Sequence, residues 1–415
     1  MSVEKTKLNN GLIVATDSIP NFETVSVGIF VNVGSVNENP SQSGISHFVE
    51  HMAFKGTEKR TALEISSEIE SVGGYMNAYT SKEVTAFHAK VLKQDFELAV
   101  DVISDIVQNS TFNSEEFEKE RGVIIQEIKQ QNDTPDDLVF DMFQGQCFDG
   151  ESLGTPILGT EENILSFKSD DLAGYLKGNY STDKMIICAS GGIEHAQLVD
   201  LANKYCDGMK EFQTETPRKQ IFQGGFLCKE KDLEQTHIVM GFEGFDNKSE
   251  HKFDLFVLST ILGGGMSSRL FQEIREKRGL AYSIFSFTSN YRDTGTFGVY
   301  SGCDSDNARE VVKIVKEELL SVSATLEDRE IEKAKTQIKA SLLMGLESSS
   351  SRMERMAGQY LLQGQFLTPA DITSKIDTIT KVSVIKAAEI ILATSPTVAV
   401  IGNGEKLQEL YDAFK

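Results

Sequence analysis

Gly44-Ile45-Ser46-His47-Phe48-Val49-Glu50-His51-Met52 combines the apolar spacing of a helix with an H-x-x-E-H motif. His47 and His51 stand one turn apart (i, i+4) on one face, where two imidazoles can converge on a metal ion. Glu50 follows His47 by three residues on the same side, within reach of a water held by that metal. Ile45, Phe48, Val49 and Met52 follow the i, i+3, i+4, i+7 rule and form the opposite, core-facing stripe. A lone histidine on a helix is usually structural. Two at ligand spacing with an acid between them, in a chain with only 6 histidines, are better explained as a site.

The flanking sequence predicts regular elements on both sides. Residues 8–18 and 24–34 alternate as strands, the second strongly through Val25, Val27, Ile29, Val31 and Val33. A turn cluster at 37–41 leads to Ser43 as N-cap of the motif helix, which Gly56 should end in the C′ position. Thr61 and Glu64 form a capping box that opens a second helix, stopped by Gly73-Gly74. Residues 75–79 and 84–92 read as paired strands, 95–109 as an amphipathic helix, and 113–131 as a long helix with an acid-rich first turn. Pro135 sits at the first position of a further helix. The polar, aperiodic segment 211–225 reads as an inter-domain linker. Beyond it Thr236–Glu243 (THIVMGFE) repeats the pattern of residues 24–32 (TVSVGIFVN). The expected fold class is α+β, with two similar domains, each a mainly antiparallel sheet covered by helices. Their expected bounds are 1–210 and 226–415.

Composition narrows the function. The formal net charge of -21 argues against nucleic-acid binding, which needs a basic footprint, and favours cationic partners, basic peptides being one candidate. No apolar run approaches the roughly 20 residues that span a bilayer, so no membrane association is expected. The five cysteines (Cys147, Cys188, Cys206, Cys228, Cys303) are scattered and never spaced C-x-x-C, so they read as reduced core residues. Met1 to Lys7 shows neither an apolar signal core nor Arg-rich transit character, and a bacterial-type cytoplasmic protein is expected.

Two histidines leave a hydrolytic zinc one protein ligand short. The cysteines offer no cluster and His88, His195, His237 and His251 stand alone, so the third ligand should be a carboxylate. Glu120 and Glu127, seven residues apart on the long helix, lie two turns apart on one face. Spacing does not choose between them. Ile124, Ile125 and Ile128 flank Glu127, which favours it as the more buried-looking acid. Gly263-Gly264-Gly265 lacks the G-x-x-x-x-G-K-[ST] text of a phosphate loop, so nucleotide binding is not expected; tight packing is one reading of it.

The inverted motif His47-Phe48-Val49-Glu50-His51 is that of the inverzincins. Together with residues 44–57 (GISHFVEHMAFKGT), 73–81 (GGYMNAYTS), 120–127 (ERGVIIQE) and 269–282 (RLFQEIREKRGLAY), it resembles the pitrilysin/insulysin family of zinc metallopeptidases. Within that family the chain is most similar to bacterial relatives of the β-subunit of the mitochondrial processing peptidase. The resemblance spans nearly the whole chain. It implies one Zn²⁺ per chain on His47, His51 and Glu127, with Glu50 as general base and Glu120 orienting a histidine. It implies substrate contacts from Asn77-Ala78 on an edge strand and from Arg275 and Tyr282 in the second half. It further implies a clam-shell architecture of which one chain is half, hence a homodimer with Arg275 and Tyr282 acting in trans. The glycine loop would then be a flexible element near the substrate entrance. The implied activity is zinc-dependent endopeptidase action on short or unfolded, basic presequence-like peptides. The alternatives are a non-catalytic core-type structural subunit and a peptide-binding protein.

Overall fold

The computed structural model describes residues 3–404 and 407–415. The first sheet has six strands: β1 (Val3–Lys7), β2 (Ile13–Ser18), β3 (Thr24–Val31), β4 (Tyr75–Thr80), β5 (Thr85–Leu92) and β6 (Met185–Gly191), in the order β1-β2-β6-β3-β5-β4. The second has five: β7 (Gly225–Glu230), β8 (Thr236–Glu243), β9 (Ala281–Asn290), β10 (Gly295–Cys303) and β11 (Thr397–Gly402), in the order β7-β11-β8-β10-β9. Both are mainly antiparallel, with a parallel pair at the same place, β2 with β6 and β7 with β11. From there the pairings repeat: β6-β3-β5-β4 and β11-β8-β10-β9 are all antiparallel. The likeness between 24–32 and Thr236–Glu243 therefore marks equivalent central strands, β3 and β8. β1 has no counterpart in the alternation read from sequence. Its text, VEKTK, is charged and half exposed, as befits an edge strand, and it gives no period-2 apolar signal.

Helices follow β3 in the first half: α1 (Ile45–Ala53), α2 (Ala62–Ser71), α3 (Phe96–Gln108), α4 (Ser114–Asp133) and α5 (Pro135–Cys147). Alternation along β3 divides its side chains between two cores. Val25, Val27, Ile29 and Val31 pack with Phe48, Val49 and Met52 of α1, whereas Phe30 joins a second cluster with Met353, Met356 and Ala357. The sheet is thus covered on both faces, which explains why β3 is buried at nearly every position.

The domain bounds expected from sequence need correction. One compact unit comprises the residues up to Lys129, Thr155–Arg218 and Leu343–Pro369; the other comprises Gln130–Gly154, Lys219–Leu342 and Ala370–Lys415. The change of unit at Arg218 lies inside the 211–225 segment, but two segments belong with the sheet of the opposite half. Helix Ser349–Gln363 covers the outer face of the first sheet, and α5 covers the second, where Phe140 stacks on Tyr300 at 5.3 Å. A single mid-chain linker cannot reveal this, because the cause is burial: each sheet has a second apolar face that its own half does not cover. Cys228 is a further correction, since it lies exposed on edge strand β7; the other four cysteines are buried and free. Among the described residues no helix is long and apolar enough to cross a membrane.

Helix Ser349–Gln363 is anchored by charge as well as apolar contact. Arg352 Nη1 donates to Asp17 Oδ2 at 2.9 Å, and Asp17 on β2 is only 1% exposed. Ser26 Oγ bonds Ser349 Oγ and Ser350 Oγ, each at 2.9 Å. Replacing Arg352 by Met keeps the apolar stem and strands a buried carboxylate, a change that costs about 3 kcal/mol or more. The expected result is a lower urea midpoint at unchanged m-value; a midpoint equal to wild type would show that the pair contributes nothing.

Candidate metal centre

Helix α1 starts under constraint. Gly44 precedes it with φ +95°, and a Cβ there would lie 2.7 Å from the Leu158 carbonyl oxygen, so only glycine fits. Ser43 is not the cap. The Glu38 carboxylate, six residues upstream, accepts from Gly44 N–H and Ser46 N–H, both at 2.8 Å. It takes the place of a Ser/Asp cap by accepting from two N–H groups that the helix start leaves unpaired. The helix also ends earlier than Gly56 predicts, with Phe54 as C-cap; Gly56 at φ +120° serves the turn beyond it.

On the half-buried face of α1, opposite its core-facing stripe, the two imidazoles meet edge to face, 4.5 Å between centroids. Glu127 Oε2, from α4, lies 3.8 Å from His47 Nε2 and 3.6 Å from His51 Nε2. Among the described residues this trio is the group of histidines, cysteines and acids whose ligand atoms lie within 4.8 Å of one another. These approaches are not an ion pair on the His47 side: burial, helped by the nearby His51, pushes His47 down to about 3, so it is neutral and offers a lone pair. Two imidazole nitrogens and one carboxylate are the donor set of a hydrolytic zinc site. Their separations approach the ~3.4 Å edges of a tetrahedron with ~2.0–2.1 Å bonds, so a zinc ion fits.

The ground for preferring Glu127 over Glu120 is overturned, although Glu127 is the acid beside the Nε2 atoms of both histidines. Glu120 is the buried acid, its side chain 8% exposed, while that of Glu127 is 38% exposed. Ile124 and Ile128 point into the core and leave Glu127 on the other face of α4. Glu120, two turns back, reaches the far side of the same histidine: its Oε2 lies 3.0 Å from His51 Nδ1. That contact fixes which nitrogen of His51 faces Glu127.

Glu50 faces the end of edge strand β4. Thr80 Oγ1 donates to Glu50 Oε2 at 2.6 Å. Burial raises the Glu50 carboxyl above its usual range, and the Thr80 bond and nearby His51 pull it back in part. Asn77 and Ala78 lie on the same strand, which is the outer strand of its sheet as expected. The Asn77 side chain donates to Tyr75 Oη at 2.7 Å and accepts from Ala78 N–H at 2.9 Å. That last bond shows Ala78 N–H turned away from β5, towards the free edge.

Arg275 and Tyr282 belong to the other unit, and the structure brings them together. The guanidinium lies 4.9 Å over the Tyr282 ring and 4.8 Å over that of Phe271, and Tyr282 is 71% exposed at the start of edge strand β9. Phe271–Glu276 is a π-helical turn. Of the three glycines, Gly263 and Gly264 are close-packed, a Cβ lying 2.3 Å from Ser286 N and 2.7 Å from Thr260 Cα respectively; Gly265 faces open space. Packing accounts for two of them.

Lys55 Nζ lies 2.7 Å from Glu120 Oε1, and the contacts of Thr80, Lys55 and Glu38 are ones that sequence reasoning missed. Glu38 sat in a plain turn cluster, and no spacing links Thr80 to Glu50 or Lys55 to Glu120.

Comparison with known proteins decides the family. Residues 13–161 match the model described as Insulinase (Peptidase family M16), and residues 166–338 match Peptidase M16 inactive domain. The chain belongs to peptidase family M16. It is 37% identical to the uncharacterized zinc protease YmxG of Bacillus subtilis over 87% of this chain and 88% of that one. It is 39% identical to an uncharacterized zinc protease of Rickettsia bellii over 85% and 86%. A protease from Helicobacter pylori has the same fold, with a TM-score of 0.91 at 23% identity over 96% and 99% of the two chains. So has a chain of complex III2 from Candida albicans, with a TM-score of 0.88 at 21% identity over 100% of both. Within this M16 chain, the helix that follows β8 as α1 follows β3 is Lys252–Gly263 (KFDLFVLSTILG), and it carries no histidine. That agrees with the description of the second match as inactive.

The buried cap gives a pH signature. Burial pushes the Glu38 carboxyl up to about 7 from 4.5, against the bonds from Ser46 and Gly44. Folding then favours its protonated form, so its contribution is complete below pH 4.5 and is lost as pH rises through about 7. Wild type should lose thermal stability across that window, and Glu38→Gln, which cannot titrate there, should lose less. Parallel melting-temperature profiles for the two proteins would refute this assignment.

Proposed function

We propose that this M16 chain is a zinc-dependent endopeptidase acting on short or unfolded peptides, basic presequence-like ones among them. One observation carries the reading: His47, His51 and Glu127 converge on one point while Glu50 is held beside them by Thr80. When bound, Zn²⁺ would supply Lewis acidity to a scissile carbonyl and acidify a water to a pKa near ~7. His47 and His51 would give Nε2 lone pairs, with His51 oriented through Nδ1 by Glu120. Glu50 would accept the proton of the attacking water and return it to the leaving amine, and its raised pKa suits both transfers. The substrate backbone would add to the free edge of β4 alongside Asn77-Ala78. Arg275 and Tyr282 would grip the peptide and donate to the developing oxyanion, supplied by the partner in a homodimer. The net charge of -21 would draw basic peptides.

A core-type structural subunit needs neither converging metal donors nor a base held at 2.6 Å by a dedicated hydroxyl, and the same holds for a passive peptide binder. The test is cleavage of a quenched fluorescent basic peptide. Glu50→Gln should keep zinc and lose activity by at least ~100-fold, and Glu127→Gln should lose zinc. Equal turnover by wild type and Glu50→Gln would sink the mechanism.

Thr80→Val keeps the shape and deletes the donor that pulls Glu50 down. Glu50 would then stay protonated to higher pH, so the acid limb of kcat/KM should move upward and activity at neutral pH should fall. An unmoved limb would mean that Thr80 does not act on the base.

A further inference from the structure

We infer that Lys55 is a positioning residue for the metal centre: it holds Glu120, which in turn holds the ring of His51. The inference rests on the zinc site proposed above and adds a residue to it. Glu120 divides its two oxygens. Oε2 faces His51 Nδ1 at 3.0 Å, and Oε1 faces Lys55 Nζ at 2.7 Å. The carboxylate is buried and Lys55 is 29% exposed, so the ammonium closes the pocket on its solvent side.

The backbone around Lys55 is fixed, which makes the contact an inexpensive one to form. Lys55 N–H donates to Met52 O at 3.1 Å at the exit of α1. Thr111 N–H donates to Gly56 O at 3.1 Å, and Ser110 Oγ to Met52 O at 3.0 Å. Residues 110–111 lead directly into α4, the helix that carries Glu120 and Glu127. The ion pair therefore joins two segments already held together, and little side-chain freedom remains to be lost. Of the other acids near Lys55, Glu116 is engaged with Lys119 at 2.8 Å.

The two metal histidines are supported unequally. His47 Nδ1 is buried without a partner among the described residues, whereas His51 has Glu120. Orientation of the donor set from outside thus runs through one carboxylate. Without Lys55 that carboxylate keeps one bond, leaves Oε1 unpaired in a buried place, and can turn away from the imidazole. Losing an outer partner of this kind typically weakens metal binding by ~10–100-fold.

The experiment titrates metal-free protein with Zn²⁺ against a chromophoric chelator. Lys55→Met should weaken zinc binding by ~10–100-fold, and Lys55→Arg should restore most of it. Glu120→Gln should weaken binding similarly, and the double variant Lys55→Met/Glu120→Gln should be no weaker than the poorer single variant, because both act through one contact. Multiplying effects, or a Kd for Lys55→Met within twofold of wild type, would overturn the inference. A lower melting temperature of the metal-free protein with unchanged zinc affinity would make Lys55 merely structural, and equally overturn it. Should Lys55→Met fail to fold, Lys55→Gln carries the same comparison. Glu127→Gln separates the two levels. If it loses zinc while Lys55→Met does not, only this inference fails; if it retains wild-type affinity, the proposed ligand set itself is wrong.

Discussion

His47, His51 and Glu127 converge on one point from two helices, and the contacts that aim them organise everything around α1. The helix is short, nine residues, and its own propensity could not hold it to that tolerance. Its start is pinned by Glu38 on two backbone N–H groups, and its exit by Ser110 on the Met52 carbonyl. Phe48, Val49 and Met52 are fully buried against the sheet and α3. Only after these restraints are in place do His47 and His51 have fixed directions. Glu127 then meets them because α4 leaves from the same 110–111 segment that pins the exit of α1.

The second half shows what the same architecture looks like without this convergence. Its five strands repeat the order and sense of the first sheet. The helix equivalent to α1, Lys252–Gly263, is mainly apolar and carries no histidine. Its core is built from the same kinds of residue, so packing of the fold and presence of the site are separable. The second half instead carries a half-buried Arg275 stacked between Phe271 and Tyr282.

Much of this was legible in the sequence, and the reasons are particular. Period 2 along Val25, Val27, Ile29, Val31 and Val33 marks β3, and the Thr61/Glu64 box marks the start of α2 to the residue. The H-x-x-E-H spacing places two nitrogens on one helix face because 3.6 residues make a turn. These are local rules, and local rules survive folding. Features that depend on burial are less legible: isoleucines surround Glu127 in the sequence, yet they turn inward and leave it on the outer face. The cap by Glu38 escaped because the rule for caps looks at the adjacent residue, and here the carboxylate arrives from six residues away.

The sequence by itself determined the element types, the repeated half, and two histidines with an acid between them on one helix face, because each of these follows from spacing along the chain. Only the tertiary structure decided which acid lies against the two histidines, which nitrogen of His51 faces it, and that Thr80 bonds Glu50 and Lys55 pairs with Glu120. It also assigned Gln130–Gly154 and Leu343–Pro369 to units other than their neighbours in sequence. These facts share one physical cause. They are contacts between residues tens to hundreds of positions apart, set by which apolar face each element buries, and no periodicity along the chain encodes where a buried face will find its cover.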